Sequence, residues 1–243
     1  MPRKRLRMFA GPNGSGKSTI KDVLPETYLG HYLNPDDIER TLTVSSRFPI
    51  QSFGFGHLDA VAVRAFFLNH PLTQKAGLSA AFAGLQVDDD ALTFHNVSVN
   101  SYVAAILTDW LRQQCIQSGQ SLTFETVMSS GDKINVLRAA KQAGFRVYLY
   151  YVATDDPAVN LVRVRNRVNA GGHNVPADKI TSRYYRSLNL LRDAIRLSDR
   201  AYIFDNSGTS RVWIAEVTNG ADIVLQTEYV PTWFDRYVLD KTN

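Results

Sequence analysis

Apolar positions along this chain recur with two spacings, and the two alternate. Short stretches read as strands: Leu6-Arg7-Met8-Phe9-Ala10, His31-Tyr32-Leu33, Leu122-Thr123-Phe124-Glu125-Thr126-Val127 with alternating faces, Arg146 to Ala153, and Ala201 to Asp205. Between them the apolar residues follow the 3.6-residue period of helices. Such segments run from Asp59 to Leu68, Leu78 to Leu85, Asn100 to Ser118, Ser129 to Ala143, Val159 to Val168 and Ala177 to about Leu197. Gly119 and Gly144 stop two of them, Asn100 or Ser101 can cap the third, and Trp110 falls on its core stripe. Val212 to Val217 and Ile223 to Leu225 read as a final hairpin. The alternation predicts an α/β, doubly wound, mostly parallel five-stranded sheet with helices on both faces. Arg146 to Ala153 is apolar at successive positions and is expected at its centre. Residues from about 47 to 100 fit the alternation least and are expected to be a helical insertion within one domain spanning 1–243.

Composition narrows the class. The 243 residues are 44% hydrophobic and 21% charged, the balance of a globular chain. No apolar run is long enough for a bilayer, and the run after Met1-Pro2-Arg3-Lys4-Arg5 is too short for a secretory leader, so a cytoplasmic protein with no membrane partner is expected. The single Cys115 has no internal disulfide partner and lies on an amphipathic stripe, which predicts a core thiol rather than a nucleophile. The net charge of +4 gathers late in the chain, at Arg163, Arg165, Arg167, Arg183, Arg186, Arg192 and Arg196. No aromatic interleaving of the RNA-binding kind accompanies it in the sequence, so no nucleic-acid partner is expected.

One stretch carries explicit chemistry. Gly11-Pro12-Asn13-Gly14-Ser15-Gly16-Lys17-Ser18 fits G-x-x-x-x-G-K-[ST] at every fixed position, with a predicted strand before it and a predicted helix from Ser18 to Leu24 after it. The loop's glycines let successive N–H groups turn inward around phosphates, and Thr19 continues the lining. Lys17 reaches the terminal phosphates as a point charge, and Ser18 offers its hydroxyl to Mg²⁺. ATP and Mg²⁺ are the cofactors this predicts. An Asp-Glu ending to an apolar strand, the mark of a hydrolytic ATPase, is missing at the usual distance. Asn34-Pro35-Asp36-Asp37 instead closes the second strand. Asp36 or Asp37 then serves as general base toward a hydroxyl acceptor, and the alternative role of either is to cap the next helix. The arginines at 163 and 167, four apart, and at 183 and 186, three apart, flank the Gly171-Gly172 break. They predict a lid over about residues 160–190. Asp205 and Asn206 close the fifth strand, either beside the adenine or as a turn.

These pieces in order resemble the zeta toxin family of P-loop kinases, and among its members a compact branch known as predicted ATPases. The resemblance rests on the loop with Thr19, on Asn34-Pro35-Asp36-Asp37-Ile38, and on Thr123-Phe124-Glu125-Thr126-Val127-Met128-Ser129. It continues through Arg163-Val164, Arg167-Val168, Gly171-Gly172-His173-Asn174-Val175-Pro176, Arg183-Tyr184-Tyr185-Arg186-Ser187 and Phe204-Asp205-Asn206-Ser207. It implies ATP-dependent phosphorylation of a sugar-nucleotide hydroxyl such as that of UDP-N-acetylglucosamine, with an antitoxin protein as partner. Carried over, Lys17 holds the triphosphate, Ser18 the Mg²⁺, and Asp36 is the base. Glu125, Thr126 and Asp37 contact the acceptor, and Arg167 and Arg183 act on the γ-phosphate. Arg163, His173 and Arg186 are further lid candidates, His173 standing near a family arginine. A kinase of a nucleotide, an antibiotic or a cofactor, or a nucleotide-binding regulator with little turnover, also fits the motifs.

Overall fold

The computed structural model describes residues 3–240 apart from Asn96, Gly172 and His173. The strands in chain order are β1 (Arg5–Ala10), β2 (His31–Leu33), β3 (Arg47–Pro49), β4 (Gln86–Val87), β5 (Ala91–Thr93), β6 (Leu122–Thr126), β7 (Arg146–Ala153), β8 (Arg200–Asp205), β9 (Val212–Thr218) and β10 (Asp222–Leu225). The helices are α1 (Glu26–Leu29), α2 (Pro35–Ser45), α3 (Ala60–Asn69), α4 (Pro71–Lys75), α5 (Ser79–Ala83) and α6 (Ser101–Ser118). They continue with α7 (Asp132–Gln142), α8 (Pro157–Asn169), α9 (Ala177–Asn189), α10 (Leu191–Arg196) and α11 (Thr232–Phe234). The chain is α/β, with the strand–helix alternation that the sequence predicts, and divides into two compact units.

The first unit comprises residues 1–29 and 123–243. Its sheet runs in the order β10-β9-β8-β7-β1-β6. β1 pairs parallel with β7 and β7 parallel with β8, while β9 and β10 are added antiparallel. The terminal hairpin therefore extends the sheet. β7 lies between β1 and β8, and Val147, Leu149, Tyr151, Val152 and Ala153 are fully buried, as expected of the central strand. Parallel pairing puts the carboxyl ends of β1, β7 and β8 at the same edge, with Ala10, Ala153 and Asp205 as their last residues. The stretch expected as one helix from Ala177 to about Leu197 is divided at Leu190 into α9 and α10.

The second unit comprises residues 30–122. The region read as an insertion packs here with α2 and α6. Its core is aromatic. Phe67 meets Phe82 at 5.2 Å and Phe94 at 5.8 Å, and Trp110 meets Phe55 at 5.8 Å. Trp110 and Cys115 are buried on α6, and burial pushes the Cys115 thiol up to about 12, the state of an inert core thiol. Asn100 caps α6 through the N–H groups of Tyr102 and Val103, and Gly119 ends it at φ 72°. Asp88-Asp89-Asp90 is an exposed run in which two carboxylates have partners. Asp89 accepts from the Leu58 N–H at 3.0 Å and Asp90 pairs with Arg47 at 2.8 Å. Among the described residues no helix is long and apolar enough to cross a membrane.

Candidate active site

The loop after β1 takes its shape from close approaches that exclude side chains. Gly11 has φ 143°, and a Cβ there would stand 2.0 Å from the carbonyl oxygen of Val152 on β7. Gly16 has φ 96°, and its Cβ would stand 2.4 Å from Nδ2 of Asn206. Only glycine adopts these backbone angles at such contact distances. The chain beyond Gly16 forms a 3-10 turn over Lys17–Val23, not the expected α-helix. Pro25 holds Leu24 in extended backbone (φ −112°, ψ 136°) and so ends the turn at Val23.

Within the loop, the Lys17 ammonium donates to the Pro12 carbonyl at 2.9 Å. The Ser18 hydroxyl donates to Oε2 of Glu125 at 3.2 Å, so the structure brings together two residues that lie 107 positions apart. Glu125 is buried at the end of β6. Thr126, next to it, accepts from the Met128 N–H at 3.0 Å and holds buried Met128 at φ 52°, a left-handed conformation unusual for this residue type. Ser15 is fully buried, and its Oγ and the Oδ1 of Asn13 find no hydrogen-bond partner among the described residues. Buried polar atoms are nearly always satisfied, so two orphans inside one loop point to a polar ligand that completes them.

The loop is braced by α8 and by the turn between β8 and β9. Asn160 of α8, fully buried, donates to the Asn13 carbonyl at 2.6 Å and accepts from the Thr154 hydroxyl. Asn206, just past β8, donates to the Ser15 carbonyl at 2.8 Å. The Arg163 guanidinium donates to the carbonyls of Asn206 at 2.6 Å and Gly208 at 3.1 Å. Arg211 donates to the Thr19 hydroxyl at 2.8 Å, and Thr19 in turn donates to the Gly16 carbonyl at 2.8 Å. Buried Asp205 accepts from the Ser207 N–H at 2.9 Å and the Trp233 indole at 2.8 Å, fixing the turn that carries Asn206.

Sequence reasoning passed over Asn160 and Arg211. Asn160 had a signal: a polar residue four before Val164, on the buried stripe of an otherwise apolar helix face. Arg211 had none. Asn206, expected either beside the adenine or in a turn, spends its side chain on the loop's own backbone.

The arginine-bearing helices α8 and α9 pack through Val164, Val175 and Ile180, with Leu161 and Val168 against them. Tyr184 donates to the Thr154 carbonyl at 2.6 Å and Tyr151 bonds Ser187 at 3.0 Å, so α9 is fastened to the end of β7. Arg163 is spent on the 206–208 turn and does not pair with Arg167 as one surface. Arg167 and Arg186 are exposed, and Arg183 is half-buried. His173 and Gly172 lie outside the described residues.

Asp36 and Asp37 belong to the second unit, in the first turn of α2. Neither caps the helix. Asn34 does, accepting from the Asp36 N–H at 2.9 Å, with Pro35 at the first helical position. Asp37 forms an ion pair with Arg40, while the Asp36 carboxylate stands exposed.

These residues fit a nucleoside triphosphate with Mg²⁺. The glycine-lined loop leaves room only for backbone, its buried Ser15 and Asn13 atoms await partners, and the hydroxyl of Ser18 beside the Glu125 carboxylate supplies hard oxygen donors. Among the described residues no group of three His, Cys, Asp or Glu is placed to hold a metal ion.

The family model described as zeta toxin matches residues 87–218. Among solved structures, one of AvrRxo1-ORF1:-ORF2 with ATP is 15% identical, with a TM-score of 0.52 and coverage of 92% of this chain and 61% of that chain. A second, of AvrRxo1-ORF1:AvrRxo1-ORF2 with sulphate ions, is 14% identical, with a TM-score of 0.54 and coverage of 99% and 66%. At such identities the likeness is one of fold. An uncharacterized protein of Haemophilus influenzae is 35% identical over 60 residues, 25% of this chain and 43% of that protein. The chain thus spans less than two thirds of the length of each of these relatives.

Proposed function

We propose that this chain, which belongs to the zeta toxin family, is an ATP-dependent kinase that phosphorylates a hydroxyl of a small molecule, a sugar nucleotide of the UDP-N-acetylglucosamine kind. The observation that carries the reading is the braced loop with its unsatisfied interior and the Ser18–Glu125 pair beside it. The sugar-nucleotide acceptor follows the resemblance of Asn34–Ile38 and Thr123–Ser129 to the family's motifs.

In the reaction, the acceptor oxygen bonds the γ-phosphorus, the bond between that phosphorus and the β,γ-bridging oxygen breaks, and ADP leaves. Lys17 exchanges the Pro12 carbonyl for phosphate oxygens and stabilises charge on them. Ser18 and Glu125 would hold Mg²⁺, which would neutralise charge on the triphosphate. Asp36 takes the hydroxyl proton. Its carboxylate is exposed, whereas Asp37 is engaged by Arg40. Asp36→Asn therefore retains ATP binding and lowers transfer by roughly 10²-fold, the effect of a lost general base. Asp37→Asn has the smaller effect, and the reverse ranking in single-turnover assays would assign the base to Asp37.

Residues 160–190 act as a lid that excludes water from the transferring group. Arg167→Gln and Arg183→Gln each lower kcat by roughly tenfold while ATP affinity changes little. Unchanged kcat in both variants would return these arginines to the solvated surface. An antitoxin protein is the partner proposed, in line with the family and with the two-component AvrRxo1 assembly. The kinase reading is tested by ATP consumption with a panel of UDP-sugars, nucleotides, antibiotics and dinucleotide cofactors. A UDP-sugar that accelerates ADP release and gains a phosphate supports it. ATP consumption indifferent to every acceptor overturns it.

A further inference from the structure

We infer that Arg211 is a nucleotide-binding residue that reads the α-phosphate, supplying the cation at the nucleoside end of the triphosphate. The inference rests on the nucleotide-site reading above and extends it to a residue that no loop motif contains. Lys17 serves the β- and γ-phosphates and Ser18 the Mg²⁺, so the remaining phosphate lies toward the next position along the turn, Thr19. Arg211 stands there. Its guanidinium donates to the Thr19 hydroxyl at 2.8 Å and lies over the Phe204 ring at 5.4 Å, which holds the planar group in place.

The surroundings leave it suited to an anion. The turn from Asn206 to Arg211 is tied to the loop backbone by Asn206, and Arg163 fixes the same turn from the other side through two carbonyls. Arg163 is thus consumed by scaffolding. Arg211 holds a neutral hydroxyl, a weak partner that a phosphate oxygen readily replaces with a charge-assisted bond. Thr19 is exposed, so the exchange needs no rearrangement of the core.

The test is equilibrium binding of ATP and of inorganic tripolyphosphate, each with Mg²⁺, to the parent protein, Arg211→Gln and Arg211→Lys. Arg211→Gln is expected to weaken both ligands by about tenfold, the loss of one charge-assisted contact. Arg211→Lys, which keeps the charge without the fork, should fall between. With an acceptor present, Arg211→Gln should raise the KM for ATP and leave kcat within a few-fold. Loss confined to ATP, with tripolyphosphate unaffected, would assign Arg211 to the base or ribose and overturn the α-phosphate role. Parental affinity of Arg211→Gln for both ligands would also overturn it. A parent protein that binds neither ligand would instead refute the nucleotide site itself, and a thermal melt of each variant separates these results from misfolding.

Discussion

Lys17→Ala is expected to fold normally and to transfer phosphoryl groups roughly 10³-fold more slowly than the parent, since catalysis of this kind is mostly electrostatic. Its ammonium donates to the Pro12 carbonyl of its own loop. The loop's shape comes from its glycines and from Asn160 and Asn206 and survives the change. What disappears is a positive charge where the leaving and transferred phosphates develop charge. Single-turnover transfer, paired with a melting curve, measures both parts. Parental turnover in folded Lys17→Ala would show that the loop is not where chemistry happens.

Gly11→Ala is expected to abolish nucleotide binding and to destabilise the first unit, by roughly 3 kcal/mol or more. The added methyl would meet a backbone carbonyl oxygen at 2.0 Å, that of Val152 on the central strand, at a φ of 143°. Neither partner is a flexible side-chain end. Relief requires the loop to lift from β7, which moves Ser15 and the row of N–H groups with it. For a unit of this size the cost corresponds to a melting-temperature drop of about 10 °C. Calorimetry and ATP titration should register losses together. A Gly11→Ala protein with parental stability and affinity would show that the close packing of loop on strand does not occur in solution.

Strands were legible because their signal is local. Arg146 to Ala153 announces a buried central strand by composition, and Asn100 and Gly119 mark the ends of α6 by side-chain chemistry alone. The motif was legible for the same reason: its fixed residues are contiguous. What failed to show was whatever depends on distant partners. The segment expected as a helix after the loop is a 3-10 turn that ends before Leu24, although its composition suits an α-helix. Residues 30–46 and α6 read as neighbours of an insertion, yet they close with it into one unit, since the Phe67–Phe82–Phe94 cluster and Trp110 meet only in three dimensions. Arg163 carried the same helical-spacing signal as Arg167, and spacing could not tell a strut from a solvent-facing arginine. Arg211 precedes an ordinary strand, and nothing near it in sequence relates it to Thr19.

The braces on the loop also set a schedule. Asn160 meets Asn13 across 147 positions, Asn206 meets Ser15 across 191, and Arg211 meets Thr19 across 192. Contacts of such separation must close long segments of chain and form late. A growing chain halted short of residue 160 carries the whole phosphate-binding motif with none of these supports. As synthesis proceeds the loop is secured first by α8 and then by the turn after β8. The motif therefore stays unbraced through most of translation, until α8 and then the turn after β8 have emerged.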